Sequence, residues 1–194
     1  ALVGYTNAGK SSILRGLSGA ADVFVEDRLF ATLDPLTREV ELADKGASVL
    51  VTDTVGFIRK LPHHLVASFR ATLEETREAD LLLHVIDASH ASWEEQRQVV
   101  QQVLGELGGA EKPTLYVFNK IDLLDPESLR ALQERLRNLA PESILVSAQD
   151  EDGLEPLRRA PLAKVRDTRP VHEVRLPVTA GRLLGEVHRE RVVL

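Results

Sequence analysis

Lys10 and Ser11 close the octapeptide Gly4-Tyr5-Thr6-Asn7-Ala8-Gly9-Lys10-Ser11, a match to G-x-x-x-x-G-K-[ST]. These residue types at this spacing suit one task, holding phosphates. Backbone N–H groups from Tyr5 to Lys10, through Thr6, Asn7, Ala8 and Gly9, are expected to face inward and cradle a β-phosphate. Gly4 and Gly9 permit dihedrals and close approaches that a side chain blocks. A helix that starts at the loop adds the positive end of its dipole. Lys10 supplies a formal charge to the β- and γ-phosphates. Ser11 offers a hydroxyl to Mg²⁺, and Ser12 follows it. The plainer reading is a glycine turn before a helix.

Three further segments extend the reading. Asp53-Thr54-Val55-Gly56 ends an apolar run. The Asp53 carboxylate there can reach the Mg²⁺ shell, and Gly56 can turn its N–H to a γ-phosphate. Loss of that contact on hydrolysis releases the segment that begins at Phe57, the logic of a nucleotide switch. Alone, D-x-x-G is most often a surface turn. Asn119-Lys120-Ile121-Asp122 selects a base. Guanine presents two donors, N1–H and N2–H₂, and one carboxylate, Asp122, accepts both. Adenine has no such pair, and a site built for hydrogen bonds rejects a mismatched ligand by about 10⁴-fold. Asn119 is expected to tie this loop to the phosphate loop, and the stem of Lys120 to stack on the purine. Ser147-Ala148 offers a backbone N–H to the guanine O6.

A second Mg²⁺ ligand is expected between the first helix and the second core strand. Thr32 is favoured, with Thr37 as the fallback. The position just after D-x-x-G, where Ras-like enzymes place a glutamine to orient water, is Phe57. A phenyl ring cannot do this, so unaided hydrolysis is expected to be slow. Asn7 has two readings. Its side-chain oxygen could hold a K⁺ near the β- and γ-phosphates, or it could only cap or brace the loop.

The elements that must position these groups alternate. Apolar strands are expected at 1–3, 39–42, 48–53, 81–86, 115–118 and 144–146. Helices are expected at 10–17, at 63–78, from Ser92, from Asp125-Pro126 to Pro141, and at 154–165. The 18–37 stretch reads as a mobile connection. Continuously apolar strands between helices predict an α/β fold, a mostly parallel sheet of about six strands with helices on both faces. All four motifs then fall at strand C-termini, the edge where such folds bind ligands. Past Pro161 the texture changes, with a strand at 171–176 and an amphipathic helix at 179–192. We divide the chain into a nucleotide-binding domain, 1–160, and a small C-terminal extension, 161–194.

Composition agrees. The 194 residues are 43% hydrophobic and 28% charged, and carry a net charge of −6. They form no run of about 18 apolar residues, so no membrane partner is expected. Without cysteine, disulfides and thiolate metal sites are excluded. The acidic balance argues against DNA as a partner. The basic stretch Arg158, Arg159, Lys164, Arg166 and Arg169 reads as a solvated face or, more sharply, as an RNA contact. The six histidines show no metal-ligand spacing. The chain has no methionine, even at position 1, and an N-terminal portion is expected to precede Ala1.

Two longer stretches carry a resemblance. Leu29-Phe30-Ala31-Thr32-Leu33-Asp34-Pro35-Leu36-Thr37-Arg38 resembles switch I of the HflX family of GTPases, with Thr32 on the Mg²⁺-binding threonine. Asp53 to Ser89 resembles that family's switch II, the following helix and the next strand. The likeness covers roughly residues 1–160, and 171–188 is similar to the family's C-terminal extension. Leu36, where threonine is usual, and Ser12, where threonine is common, depart from the pattern without touching an assigned role. The resemblance implies a P-loop NTPase fold and a cytoplasmic GTPase that associates with the large ribosomal subunit and acts on stalled or idle ribosomes. It also implies an N-terminal domain and helical linker that carry much of the ribosome contact. On this reading Lys10, Thr32 and Gly56 serve the reaction, and Ser11, Thr32 and Asp53 hold Mg²⁺. The partners are GTP and GDP. The rival reading is a GTP-dependent binding module whose turnover is incidental, and a P-loop ATPase or kinase is a distant third.

Overall fold

The computed structural model describes residues 1–19, 35–42, 48–57, 76–106 and 108–160. Its strands are β1 (Leu2–Gly4), β2 (Leu36–Glu41), β3 (Ser48–Asp53), β4 (Leu82–Asp87), β5 (Thr114–Asn119) and β6 (Ile144–Leu145). They form one sheet in the order β2-β3-β1-β4-β5-β6. Every neighbouring pair is parallel except β2 with β3. The helices are α1 (Lys10–Ser18), α2 (Trp93–Glu106) and α3 (Pro126–Leu139), with a further helical run at 155–160. This is the expected α/β architecture. The expected helix at 63–78 falls within the described residues only at 76–78, which are helical. The elements expected after residue 160 lie outside them.

Alternation along the central strands divides the core between two faces. Leu83 and Val85 of β4 and Leu115 and Val117 of β5 pack with Ile13, Leu14 and Leu17 of α1 and with Leu154 and Leu157. On the other face Leu82 meets Val100 and Leu104 of α2, while Ile86 and Phe118 meet Trp93, Leu132 and Leu136. Phe118 lies edge-on to Trp93, with ring centroids 5.1 Å apart. Both faces are therefore covered, the condition under which parallel strands read as unbroken apolar runs.

β2 begins at Leu36, three residues ahead of the expected start. The cause is its antiparallel partner. Six pairs run from Leu36↔Asp53 to Glu41↔Ser48, so edge-strand pairing recruits Leu36, Thr37 and Arg38, whose own pattern is weak. α3 starts as its sequence indicates. Asp125 accepts from the N–H groups of Glu127 and Ser128, both at 2.9 Å, and Pro126 takes the first turn. Those bonds, first of all the one from the Ser128 backbone, hold the Asp125 carboxyl below its usual range.

His84 interrupts the apolar run of β4 and is only 1% exposed. Among the described residues neither ring nitrogen has a hydrogen-bond partner. Burial, followed by the charges of Arg97 and Lys10, lowers its pKa from 6.5 to about 3. The folded chain therefore keeps His84 neutral where the unfolded chain would protonate it. Stability from this source is complete above pH 6.5 and is lost as pH falls towards 3. Between pH 6 and 4, the unfolding free energy of the native chain should drop more steeply than that of His84→Leu, by up to about 1.4 kcal/mol per pH unit. Urea titrations followed by fluorescence of Trp93, the single tryptophan, measure both slopes. Equal slopes would refute the assignment.

Candidate functional site

Parallel order places the C-terminal ends of β1, β3, β4 and β5 on one edge. Gly4, Asp53, Asp87 and Asn119 are the last residues of those strands. The loop from Gly4 to Ser11 leaves β1 at this edge and runs straight into α1. Gly9 caps the helix with φ 94° and no side-chain hydrogen bond. The first N–H groups of α1 thus have no capping side chain, which suits an anion. A Cβ on Gly9 would strike Nδ2 of Asn119, and one on Gly4 would strike the carbonyl of Val85. Both glycines are required by contact.

The amides of the loop divide. Thr6 N–H donates to the Phe57 carbonyl at 2.9 Å, and Ala8 N–H reaches the Tyr5 carbonyl at 3.3 Å. The expected inward row from Tyr5 to Lys10 is thereby narrowed, because Thr6 serves a short bridge between Tyr5 and Phe57. Asn7 sits at the tip, exposed, with φ 61°. Lys10 is 6% exposed, and its Nζ donates to the carbonyls of Gly4 at 3.4 Å and Tyr5 at 3.3 Å. Burial lowers its pKa, and the nearby charge of Asp53 raises it in part. A desolvated ammonium of this kind gains from an anion brought beside it.

Ser11 Oγ donates to Oδ2 of Asp53 at 2.5 Å, and Asp53 is 1% exposed. A hydroxyl and a carboxylate side by side are hard oxygen ligands, the donor set that suits Mg²⁺. Ser12 follows in α1, half-buried. Thr32 lies outside the described residues. Thr37 faces Thr52 across the β2–β3 ladder, with the two hydroxyl oxygens 2.8 Å apart. Thr54 Oγ1 donates to the Leu2 carbonyl at 2.6 Å and ties the next segment to β1. Gly56 presses on the loop, since a Cβ there would lie 2.7 Å from Cα of Thr6. Phe57 is fully buried among Val3, Val55, Leu82, Val100 and Leu104. Its ring is a core side chain and not a polar group at the strand edge.

The remaining motifs meet through Asn119, which is 2% exposed. Its Nδ2 donates to the Ala8 carbonyl at 3.0 Å, and its Oδ1 accepts from the Ala148 N–H at 3.1 Å. Ser147 Oγ donates to Oδ1 of Asp122 at 2.8 Å and accepts from the N–H groups of Gln149 and Asp150. Asp122 itself is exposed at the edge. Lys120 has φ 65°, and its Nζ lies 2.7 Å from Oδ2 of Asp87. Asp87 was not marked by any motif. An acidic residue ending an apolar strand is its only trace in the sequence, and the β4–β5 register that sets it opposite Asn119 is not local.

Among the described residues no group of three or more His, Asp or Glu gathers to hold a metal. None of their helices is long and apolar enough to cross a membrane. The arrangement sets Lys10 and Ser11 at the end of β1 and Lys120 and Asp122 after the end of β5, on the same edge of the sheet.

Comparisons with known proteins agree in kind. A family model described as "50S ribosome-binding GTPase" matches residues 1–120. The GTPase HflX of Magnetococcus marinus is 50% identical over 194 residues, covering 100% of this chain and 44% of the relative. The GTPase HflX of Escherichia coli K12 is 45% identical over 192 residues, covering 99% of this chain and 44% of the relative. The chain therefore spans less than half the length of these curated relatives. A GTP-binding protein of Sulfolobus solfataricus, solved in complex with GDP, superposes with a TM-score of 0.63 at 28% identity, covering 87% of this chain and 52% of that one.

The bridge through Asn119 yields a prediction. Asn119→Ala removes both hydrogen bonds, each worth about 1 kcal/mol net. Urea unfolding without nucleotide should show a loss of about 2 kcal/mol. A loss of only a few tenths would mean that the bridge does not hold the edge together.

Proposed function

Because the chain belongs to the HflX family of GTPases, we propose that it binds GTP and hydrolyses it to GDP and phosphate. The Asn119 bridge carries this reading, since it joins the loop of Lys10 to the strand ends that bear Asp122 and Ala148. Lys10 and the loop amides hold the phosphates. Ser11, Asp53 and Thr32 hold Mg²⁺, which neutralises charge on the transferring phosphate when bound. Gly56, close against Thr6, meets the γ-phosphate through its N–H. Asp122 accepts from guanine N1–H and N2–H₂, steadied by Ser147. The Lys120 stem lies on the purine, and the Ala148 N–H, which donates to Asn119 Oδ1 at 3.1 Å, is shared with O6 when guanine is bound. Residues 1–160 form the nucleotide-binding domain and 161–194 a small extension. The protein acts in the cytoplasm at the large ribosomal subunit, on stalled or idle ribosomes. The family's ribosome-binding description supports that partner.

The burial of Phe57 favours a second reading, a GTP-dependent binding module with incidental turnover. No side chain there orients water. Asn7 offers a K⁺ in compensation. Its side chain is exposed at the loop tip, open to a cation as well as to a bracing contact.

Titration with GTP, GDP and ATP tests the specificity. Guanine nucleotides should bind at least about 10⁴-fold more tightly than ATP. Asp122→Asn should weaken GDP by a similar order and favour xanthosine diphosphate, whose ring carries an acceptor oxygen in place of the guanine amino group. Equal affinity for ATP would overturn the assignment. Single-turnover hydrolysis in K⁺ and in Na⁺, with and without large ribosomal subunits, separates the two readings. Faster chemistry with subunits supports the hydrolase, and an unchanged step supports the module. A K⁺ advantage that Asn7→Ala removes supports the second cation, and equal rates in the two salts refute it.

A further inference from the structure

The base-reading loop is also gripped from β4. Asp87 and Asn119 are register partners, and Ala88 N–H donates to the Asn119 carbonyl at 2.8 Å. Oδ1 of Asp87 accepts from the N–H of Ser89 at 3.0 Å and from its Oγ at 2.6 Å. Those two bonds orient the carboxylate and leave Oδ2 facing Lys120 Nζ at 2.7 Å. The Lys120 and Asp87 side chains are 26% and 13% exposed, so the pair is shielded better than a surface ion pair. Lys120 also holds a left-handed backbone, φ 65°, which a residue with a side chain keeps only when its surroundings insist.

We propose that Asp87 is a positioning residue for guanine recognition, drawing the Lys120 ammonium aside so that the lysine stem is set as the platform for the purine. The proposal rests on the reading of Lys120 given above. A free lysine loses much rotamer freedom when a ligand orders it. A lysine already pinned by a fixed carboxylate has lost that freedom beforehand, and preorganisation appears as affinity. The effect belongs to the base end of the cleft and acts only through Lys120.

A double-mutant cycle tests this, with a fluorescent GDP analogue as the probe. Asp87→Asn keeps the shape and the Ser89 contacts but removes the charge. It should weaken the analogue about tenfold, within the range of coupling between contacting residues. In a Lys120→Met background, which keeps a stem and removes the ammonium, the same change should alter affinity less than twofold. Ser89→Ala loosens the carboxylate without touching Lys120. It should produce a smaller loss that also disappears in the Lys120→Met background. Trp93 fluorescence confirms that each variant is folded. The proposal is overturned if Asp87→Asn binds like the native chain, or if its loss is undiminished beside Lys120→Met. A native chain that does not bind the analogue would instead refute the guanine site itself.

Discussion

One buried side-chain amide makes a single site out of separate strand ends. Asn119 gives its N–H to Ala8 and takes the N–H of Ala148, so its two ends face two different loops. At 2% exposure the amide is shielded from water, and a low local dielectric strengthens its bonds. Gly9 must be glycine for this contact to exist, because any Cβ there would occupy the place of the Asn119 amide. The loop after β1 and the segment after β6 thus share one rigid spacer.

Charge is managed by the same edge. Lys10 is buried with two carbonyls as its acceptors, and burial pulls its pKa down. Asp53 offsets part of that cost and is in turn bonded to Ser11. The cluster has polar groups of the kinds that phosphate and a hard cation satisfy. At the other end Lys120 Nζ lies 2.7 Å from Oδ2 of Asp87. Each of these two lysines thus stands near a carboxylate that ends a neighbouring strand. Phe57 shows the opposite choice. At the position after Gly56 the chain places an aromatic ring in the core rather than a polar group at the edge.

Much of this was legible in the sequence because phosphate and base recognition are local. A loop of eight residues, or a strand-end tetrapeptide, carries its chemistry in its own order. Alternation of apolar runs with helices was enough for the parallel sheet and for the edge where the motifs gather. Less legible was whatever depends on a neighbour far along the chain. β2 starts at Leu36 because of its ladder with β3. Thr37, a candidate metal ligand by chemistry, faces Thr52 instead. Asp87 gained its partner from register alone.

The sequence by itself therefore determined what the groups are and in which order they reach the edge. Glycine spacing, a lysine, a hydroxyl and carboxylates are chemical identities, and identity needs no third dimension. Tertiary structure alone decided which groups touch: that Asn119 spans two loops, that Phe57 faces the core, that Asp87 meets Lys120. Those contacts depend on strand register and on which face of a strand is covered. A shift of one residue in either would redirect every side chain along that strand.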